Sequence, residues 1–315
     1  MRFEYNKDSV NKALLWKDLS YSEEGTLADG RALLDQRDNP YLTNTGEGGG
    51  EAFSIIATKA FDNGVNLYAG YTNMEMEDAS RVASAQADSA YNKQPHDLAG
   101  ENLRAAPSDF MVDDKLIIGL DYTTQIFGTN DTRFSVLANR KSGRRYSLVY
   151  ETGDSEASIT DGNWEAYDLI YVPTGVNDPN VVFASDAVAS SVMNFLNSGC
   201  AAGFSGQIMT RNACKGDYAT RVDLRITQDF QVNDDQKIVI YFDIQNLINF
   251  LDDDKGWQTE IDTNSVSRAV SVDLDQTTDS GQLYITGVNE DAGLIYSTDY
   301  GQSQWQMNLG ISYKF

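Results

Sequence analysis

The stretch Trp305-Gln306-Met307-Asn308-Leu309-Gly310-Ile311-Ser312-Tyr313-Lys314-Phe315 alternates without a break. Trp305, Met307, Leu309, Ile311, Tyr313 and Phe315 are apolar or aromatic; Gln306, Asn308, Gly310, Ser312 and Lys314 are polar or small. A period of two gives a strand one oily face and one wet face. About ten residues is also what a tilted β-strand needs to cross a bilayer. The pattern predicts the closing strand of an outer-membrane β-barrel, ending on the aromatic Phe315.

Similar runs recur upstream. Val65, Leu67, Ala69 and Tyr71 alternate with Asn66, Tyr68 and Gly70; Leu116, Ile118, Leu120 and Tyr122 with Gly119 and Asp121. Phe134, Val136 and Ala138 form another apolar set, as do Val222, Leu224 and Ile226, and Ile238, Ile240, Phe242 and Ile244. Ala13–Leu19 and Phe53–Phe61 fit less cleanly, the latter because Lys59 falls on the Phe53/Ile55 side. Short turns at Asp62-Asn63-Gly64, Gly128–Asp131 and Gln231–Gln236 alternate with long segments at roughly 20–50, 79–110, 151–218 and 251–302. Such segregation of loop length by parity is what bacterial barrels show, and a compact sandwich rarely holds several loops this long. The expected architecture is therefore all-β, antiparallel and up-and-down. It has about eight strands, plus a stub at Arg2–Tyr5 before a turn at Asn6–Asn11. If the last strand descends, 237–250 ascends and 219–230 descends, which puts the long loops outside the cell. Within one of them, Val188, Val192, Phe195 and Leu196 stand at helical spacing. Ser185 or Asp186 is placed as N-cap and Gly199 just past the end.

Composition narrows the class. Among 315 residues, 24 Lys+Arg against 47 Asp+Glu give a net charge of −23. Nucleic-acid binders need a basic footprint, so nucleic acid is excluded as the main partner. No run approaches the ~20 consecutive apolar residues of a spanning helix. A mean hydropathy of −0.42 suits a barrel, which hides apolar residues at every second position. The start, Met1 to Val10, carries neither a basic region nor an apolar leader, so the expectation is a processed chain or the back portion of a longer one. Cys200 and Cys214, an even pair in an exported chain, read as a disulfide closing a loop.

Several segments resemble TonB-dependent outer-membrane receptors, particularly the Oar-like group. They are Gly206-Gln207-Ile208-Met209-Thr210-Arg211-Asn212-Ala213-Cys214, Arg221-Val222-Asp223-Leu224-Arg225, Gln228-Asp229-Phe230, and Phe242-Asp243-Ile244-Gln245-Asn246-Leu247 with Trp257 beyond it. Tyr41-Leu42-Thr43-Asn44-Thr45-Gly46, Ser142-Gly143-Arg144 and Asp168-Leu169-Ile170-Tyr171-Val172-Pro173 fit the same group. The resemblance covers most of the chain, with Thr210 and Arg145 standing where proline is expected. It implies that 1–315 is part of a receptor barrel domain of about 22 strands, of which this chain supplies the last eight or so. The plug domain and TonB-contacting segment have no counterpart in it. Energised uptake or surface binding of a large ligand is implied for the parent protein. The barrel-assembly machinery is the implied reader of the terminal pattern ending in Phe315.

Candidate residues follow, each with a plainer alternative. Arg221, Asp223 and Arg225, with Asp243 across the hairpin, could contact a plug or line a ligand path; they equally suit a cross-strand ion network. Arg140, Lys141, Arg144 and Arg145 could meet lipopolysaccharide phosphates, or form a solvated rim. Asp252, Asp253 and Asp254, and the loop Asp154–Asp161, offer oxygen ligands to a structural Ca²⁺ without an EF-hand pattern. The alternative is a solvated acidic loop, and no other cofactor is expected. Gly46–Gly50 lacks the lysine ending of a phosphate loop. The single histidine, His96, has no catalytic company such as Gly-x-Ser-x-Gly, so no enzymatic chemistry is expected. Trp305, Met307, Leu309, Ile311, Tyr313 and Phe315 are assigned to lipid, with Trp305 and Tyr313 at its two interfaces. The rival readings are a self-contained structural or adhesive surface barrel and, more remotely, a barrel lipase or protease.

Overall fold

Seven of the alternating segments and the stub at Arg2–Tyr5 lie side by side in the computed structural model, which describes residues 1–20, 22–36, 39–81, 84–96, 104–152, 158–160, 167–260, 266–293, 295–296 and 303–315. They are β1 (Arg2–Val10), β2 (Gly49–Ala60), β3 (Val65–Asp78), β4 (Asp114–Phe127), β5 (Asn130–Lys141), β6 (Ala219–Asn233), β7 (Gln236–Gln245) and β8 (Gln306–Lys314). Each pairs antiparallel with its neighbour in this list, so the sheet is an uninterrupted meander; Ala106–Pro107 adds a short ninth strand beside β3. Among the described residues, β1 and β8 have no outer partner.

The register sorts the side chains onto two faces. Leu120, Val136, Leu224, Ile244 and Met307 stand opposite one another in turn. The neighbouring row reads Val65, Tyr122, Phe134, Ile226, Phe242, Leu309. On the other face, Asn66, Asp121, Ser135, Arg225, Asp243 and Asn308 form an equally continuous polar row. Because side-chain period is two, a slip of one residue anywhere would mix the faces; none occurs between these rows.

The apolar face is open. Ile311 is 72% and Leu309 75% exposed, and of the described buried apolar side chains only Ile244 belongs to the eight long strands. Burying a Leu, Ile or Phe side chain is worth about 1.5–3 kcal/mol, so a face of this size left in water is a large unmet stabilisation. Continuous apolar patches beyond a few hundred Å² mark partner or membrane surfaces. Aromatic side chains edge it at both ends. Phe53 and Tyr71 pair at 6.1 Å, and Phe250 meets Trp305 edge-on at 5.3 Å, at the long-loop end. Phe127 with Phe230, and Tyr313 stacked on Phe315, occupy the short-turn end.

The three tight turns share one end of the sheet. At 61–64 the left-handed Gly64 (φ +85°) is forced, since a Cβ there would lie 2.3 Å from the Thr123 carbonyl oxygen. The four long excursions share the other end. The first is not a loop but a continuation of the β1/β2 hairpin. Ala13–Asp18 pairs with Pro40–Thr45, and Ser22–Thr26 with Ala32–Gln36, in one long arm. Two expectations are corrected here. The stub at Arg2–Tyr5 runs on as strand to Val10, paired through to Gly50, so no turn lies at Asn6–Asn11. Ala13–Leu19 is strand as far as Asp18 but lies outside the eight-strand sheet, in the long arm, where Trp16 buries against Ala90 and Tyr91 of α1 (Ala87–Asn92).

The long excursions fold together into a cap. Its sheet runs Val181–Phe183, Leu283–Val288, Val266–Asp273, Arg145–Thr152, Cys214–Lys215, with two parallel pairings. Here the core of the chain sits: Leu148, Tyr150, Ile170, Val172, Val192, Leu196, Met209, Val270 and Ile285 form one buried cluster. Helix α2 (Asp186–Leu196) lays Val192 and Leu196 into it. Ser185 caps it, its Oγ accepting from the Val188 amide at 3.2 Å, and Gly199 follows with φ +58°. Ser185→Ala is expected to cost about 1 kcal/mol of cap stability, read as a lower urea midpoint of the helical signal at unchanged slope. Cys200 and Cys214 are joined, pinning the turn after α2 to the cap sheet.

Candidate functional site on the polar face

The polar face carries an ion network built by register alone. Arg225 stands directly opposite Asp243 and grips it with two bonds, Nε to Oδ1 at 2.6 Å and an NH2 to Oδ2 at 2.7 Å. Arg221 donates to Asp223 Oδ1 at 2.8 Å and to Gln245 Oε1 at 3.0 Å. Asp223 Oδ1 also accepts from the Asn246 amide at 2.9 Å, where β7 leaves the sheet through a left-handed residue (φ +54°). Ser135 donates to Asp121, and Lys237 pairs with Asp229 at 2.6 Å. Charge-assisted, forked contacts of this kind are the strong ones. All but the Lys237–Asp229 pair border a hollow of about 340 Å³ lined by Gly119, Asp121, Ser135, Arg221, Asp223 and Asp243. The Arg225 guanidinium lies 5.4 Å from the Tyr241 ring centroid. That ring passes over Gly310, where a Cβ would sit 2.2 Å from it.

The four expected residues Arg221, Asp223, Arg225 and Asp243 thus come together on one face. With both arginines already bonded to carboxylates, the row holds β6 to β7, and a polar visitor would meet alternating charge. The basic cluster disperses. Arg145 turns into the junction between cap and sheet, its guanidinium forked on Asp113 at 2.9 and 3.1 Å, with Lys215 on the same carboxylate at 2.8 Å. Arg140 lies 4.5 Å from the Tyr218 ring centroid. Lys141 stands opposite Lys115 on the polar face, and Arg144 is exposed.

Asp252, Asp253 and Asp254 do gather, with carboxylate oxygens within 4.8 Å of one another. Lys255 holds Asp252 at 2.6 Å, and the Asp253 carbonyl accepts from the indole of Trp257 at 2.8 Å. Of the acidic loop Asp154–Asp161, only 158–160 lie within the described residues. Their Ser158, Thr160 and Ile159 amide all bond to Asp168. His96 pairs by its backbone with Asp168 in a two-residue parallel bridge.

Sequence reasoning missed the residues that knit the cap. Asn212, at φ +57°, accepts from Ser147 Oγ and donates to the Pro107 carbonyl at 2.7 Å and to Asp109 at 2.6 Å. Arg211 reaches Asp78 at the head of β3. Arg31, at the tip of the long arm, is completely buried beside Asp29 at 2.9 Å, with its guanidinium over the Tyr150 ring. Nothing in a lone arginine between loop residues signals burial. The left-handed Asn212, by contrast, lies inside the run that carries the family resemblance.

Two cap carboxylates titrate unusually. Burial alone would raise Asp113, but hydrogen bonds from Lys215 and Arg145 outweigh it and hold the group below its ordinary value of 3.8. Burial acts the same way on Asp178 and is overcome by the Thr174 and Asn180 amides, the Thr174 hydroxyl and Tyr171. A depressed carboxylate stabilises the fold above its unfolded pKa and loses that contribution as pH falls through the folded one. The cap is therefore expected to lose near-ultraviolet circular dichroism below about pH 4, and Asp178→Asn to shrink that acid dependence.

No protein-family model matches the chain, and no curated protein is found similar to it.

Proposed function

We propose that this chain is a sector of an outer-membrane β-barrel of the TonB-dependent receptor kind, close to the Oar-like group. The observation that supports it most is the two-faced eight-strand meander. One face is apolar, exposed and edged by aromatic side chains; the other is charged and hydrogen-bonded. Nine residues from Trp305 to Tyr313 at ~3.3 Å each, tilted ~40°, span roughly 20 Å, in keeping with a hydrocarbon band. Among the described residues no helix is long and apolar enough to cross a membrane. Lipid surrounds the apolar face, while the polar face looks onto a watery interior where a plug domain of the parent protein docks. The cap, on the outer side, meets the ligand, and energy from the TonB system reaches the barrel through the plug. Catalysis has no part in this reading. The decisive test is partition. The purified chain, refolded with phosphatidylcholine vesicles, is expected to insert, with quenching of Trp305 by lipids brominated near the headgroup. Recovery as a folded monomer in buffer without detergent would sink the reading.

A second reading, a self-contained structural or adhesive barrel, draws on the densely packed, disulfide-pinned cap. The two differ at the sheet edges. A sector leaves β1 and β8 apart, whereas a closed eight-strand barrel pairs them. Glu4→Cys combined with Asn308→Cys or Ser312→Cys is expected to give no additional disulfide in vesicles. Efficient cross-linking in either pair would favour the self-contained barrel.

A further inference from the structure

The row of side chains that closes the apolar face at the long-loop end reads Tyr5, Ile55, Tyr71, Leu116, Arg140, Thr220. Arg140 therefore leaves the sheet on the apolar side, level with the last oily residues. Beyond it the outward position of β4 is Asp114, whose carboxylate accepts from the Tyr218 hydroxyl at 2.7 Å. The Tyr218 ring has two cations on it, Arg140 at 4.5 Å and Lys215 at 5.3 Å from its centroid. The Arg144 main chain lies against Gly216, two residues before Tyr218. Its carbonyl accepts from the Gly216 amide at 2.8 Å, and Gly143 packs so tightly that a Cβ would lie 2.2 Å from the Gly216 carbonyl carbon. Among the described residues, neither Arg140 nor Arg144 has a carboxylate within ion-pair distance, in a chain of net charge −23. An exposed cationic group on an aromatic platform, placed where oily side chains stop, has the position and charge of a headgroup clamp.

We propose that the rim formed by Arg140 and Lys215 on Tyr218, with the exposed Arg144 on the adjoining turn, binds the phosphorylated headgroup of an outer-leaflet lipid. The inference rests on the membrane reading above and adds a specific lipid contact to it. Arginine forks suit phosphate oxygens. Lys215, already on Asp113, adds field rather than a free donor, so Arg140 and Arg144 are the primary ligands. The lipid's chains would then run down the Leu116 and Ile118 side of the sheet.

The test uses the full chain in phosphatidylcholine vesicles doped with a bisphosphorylated glycolipid, or with the same glycolipid stripped of phosphate. Lipid retained after transfer to detergent is counted by native mass spectrometry. The phosphorylated form is expected to be retained preferentially. Arg140→Gln with Arg144→Gln should weaken retention about fivefold per charge, roughly 25-fold together. Lys115→Gln with Lys141→Gln, on the polar face, should leave it unchanged, and unaltered urea midpoints would show both double variants folded. Equal retention of the two glycolipids, or undiminished retention by the arginine variant, overturns the proposal. So does full displacement by millimolar inorganic phosphate, which would mark a free-phosphate site. Failure to insert even into pure phosphatidylcholine would sink the membrane reading itself; insertion without discrimination sinks this proposal alone.

Discussion

Leu120→Arg is expected to cost about 2–4 kcal/mol of folding free energy in vesicles, the penalty for a cation near a bilayer midplane on a lipid-facing barrel position. That corresponds to a shift of roughly thirty- to a thousandfold in the ratio of folded to unfolded protein. Leu120 lies near mid-height of the apolar face, in the row with Val136, Leu224, Ile244 and Met307. It is 41% exposed, so in a water-soluble sheet the same change would fall within about 0.5 kcal/mol. The surrounding medium therefore decides the outcome. Ser312→Lys, on the polar face of β8 opposite Val239, supplies the control and should stay near neutral. Urea titrations of the vesicle-refolded variants, followed by tryptophan fluorescence, give both numbers. Equal and small effects at the two positions would show that no lipid touches Leu120.

Replacing Cys200 and Cys214 together by serine is expected to remove about 3 kcal/mol, the loop-closure estimate for a bridge spanning 14 residues. The loss should be local. The bridge ties the turn after α2 to the strand that pairs with Tyr146, within the buried cluster that includes Ile170, Leu196 and Met209. The sheet below is held by its own ladders and by pairs such as Arg225–Asp243. Hydrogen exchange separates the two. Amides of Leu148, Tyr150 and Val270 should lose protection, while those of Leu224, Ile226 and Ile240 keep theirs. Uniform loss across both sets would mean that cap and sheet unfold as one unit.

The meander was legible because its rule is local. A strand with one apolar and one polar face writes that difference into every second residue, and β3 to β8 can be read off Val65–Tyr71, Leu116–Tyr122, Phe134–Ala138, Val222–Ile226, Ile238–Ile244 and Trp305–Phe315. Helix α2 was equally readable from Val188, Val192 and Leu196, with the cap narrowed to Ser185 or Asp186, and the Cys200–Cys214 bridge from residue type and number. β1 was underestimated, since Lys7 and Ser9 break its alternation where the strand rises past the apolar band to the Lys7–Glu51 pair at 2.9 Å. The cap sheet, by contrast, was not legible. Its parallel pairings, Ser147–Thr152 with Val266–Val272 and Val181–Phe183 with Leu283–Ile285, join segments more than 100 residues apart, and no periodicity announces which distant run will be the partner. The polar row was found as a set of residues. That Arg225 takes Asp243 while Arg221 takes Asp223 and Gln245 follows from register, which the sequence does not print.

The long arm that prolongs the β1/β2 hairpin sends Leu27 into the cap core, while the Ala28 amide bonds to the Gly281 carbonyl at 2.9 Å. Gly281 belongs to the excursion that immediately precedes β8. The first hairpin of the sheet is thereby fastened overhead to the segment feeding the last strand, from one margin of the meander to the other. A ribbon tied across its top in this way resists flattening, and the tie bears on the separation of β1 and β8, the two margins that have no outer partner among the described residues.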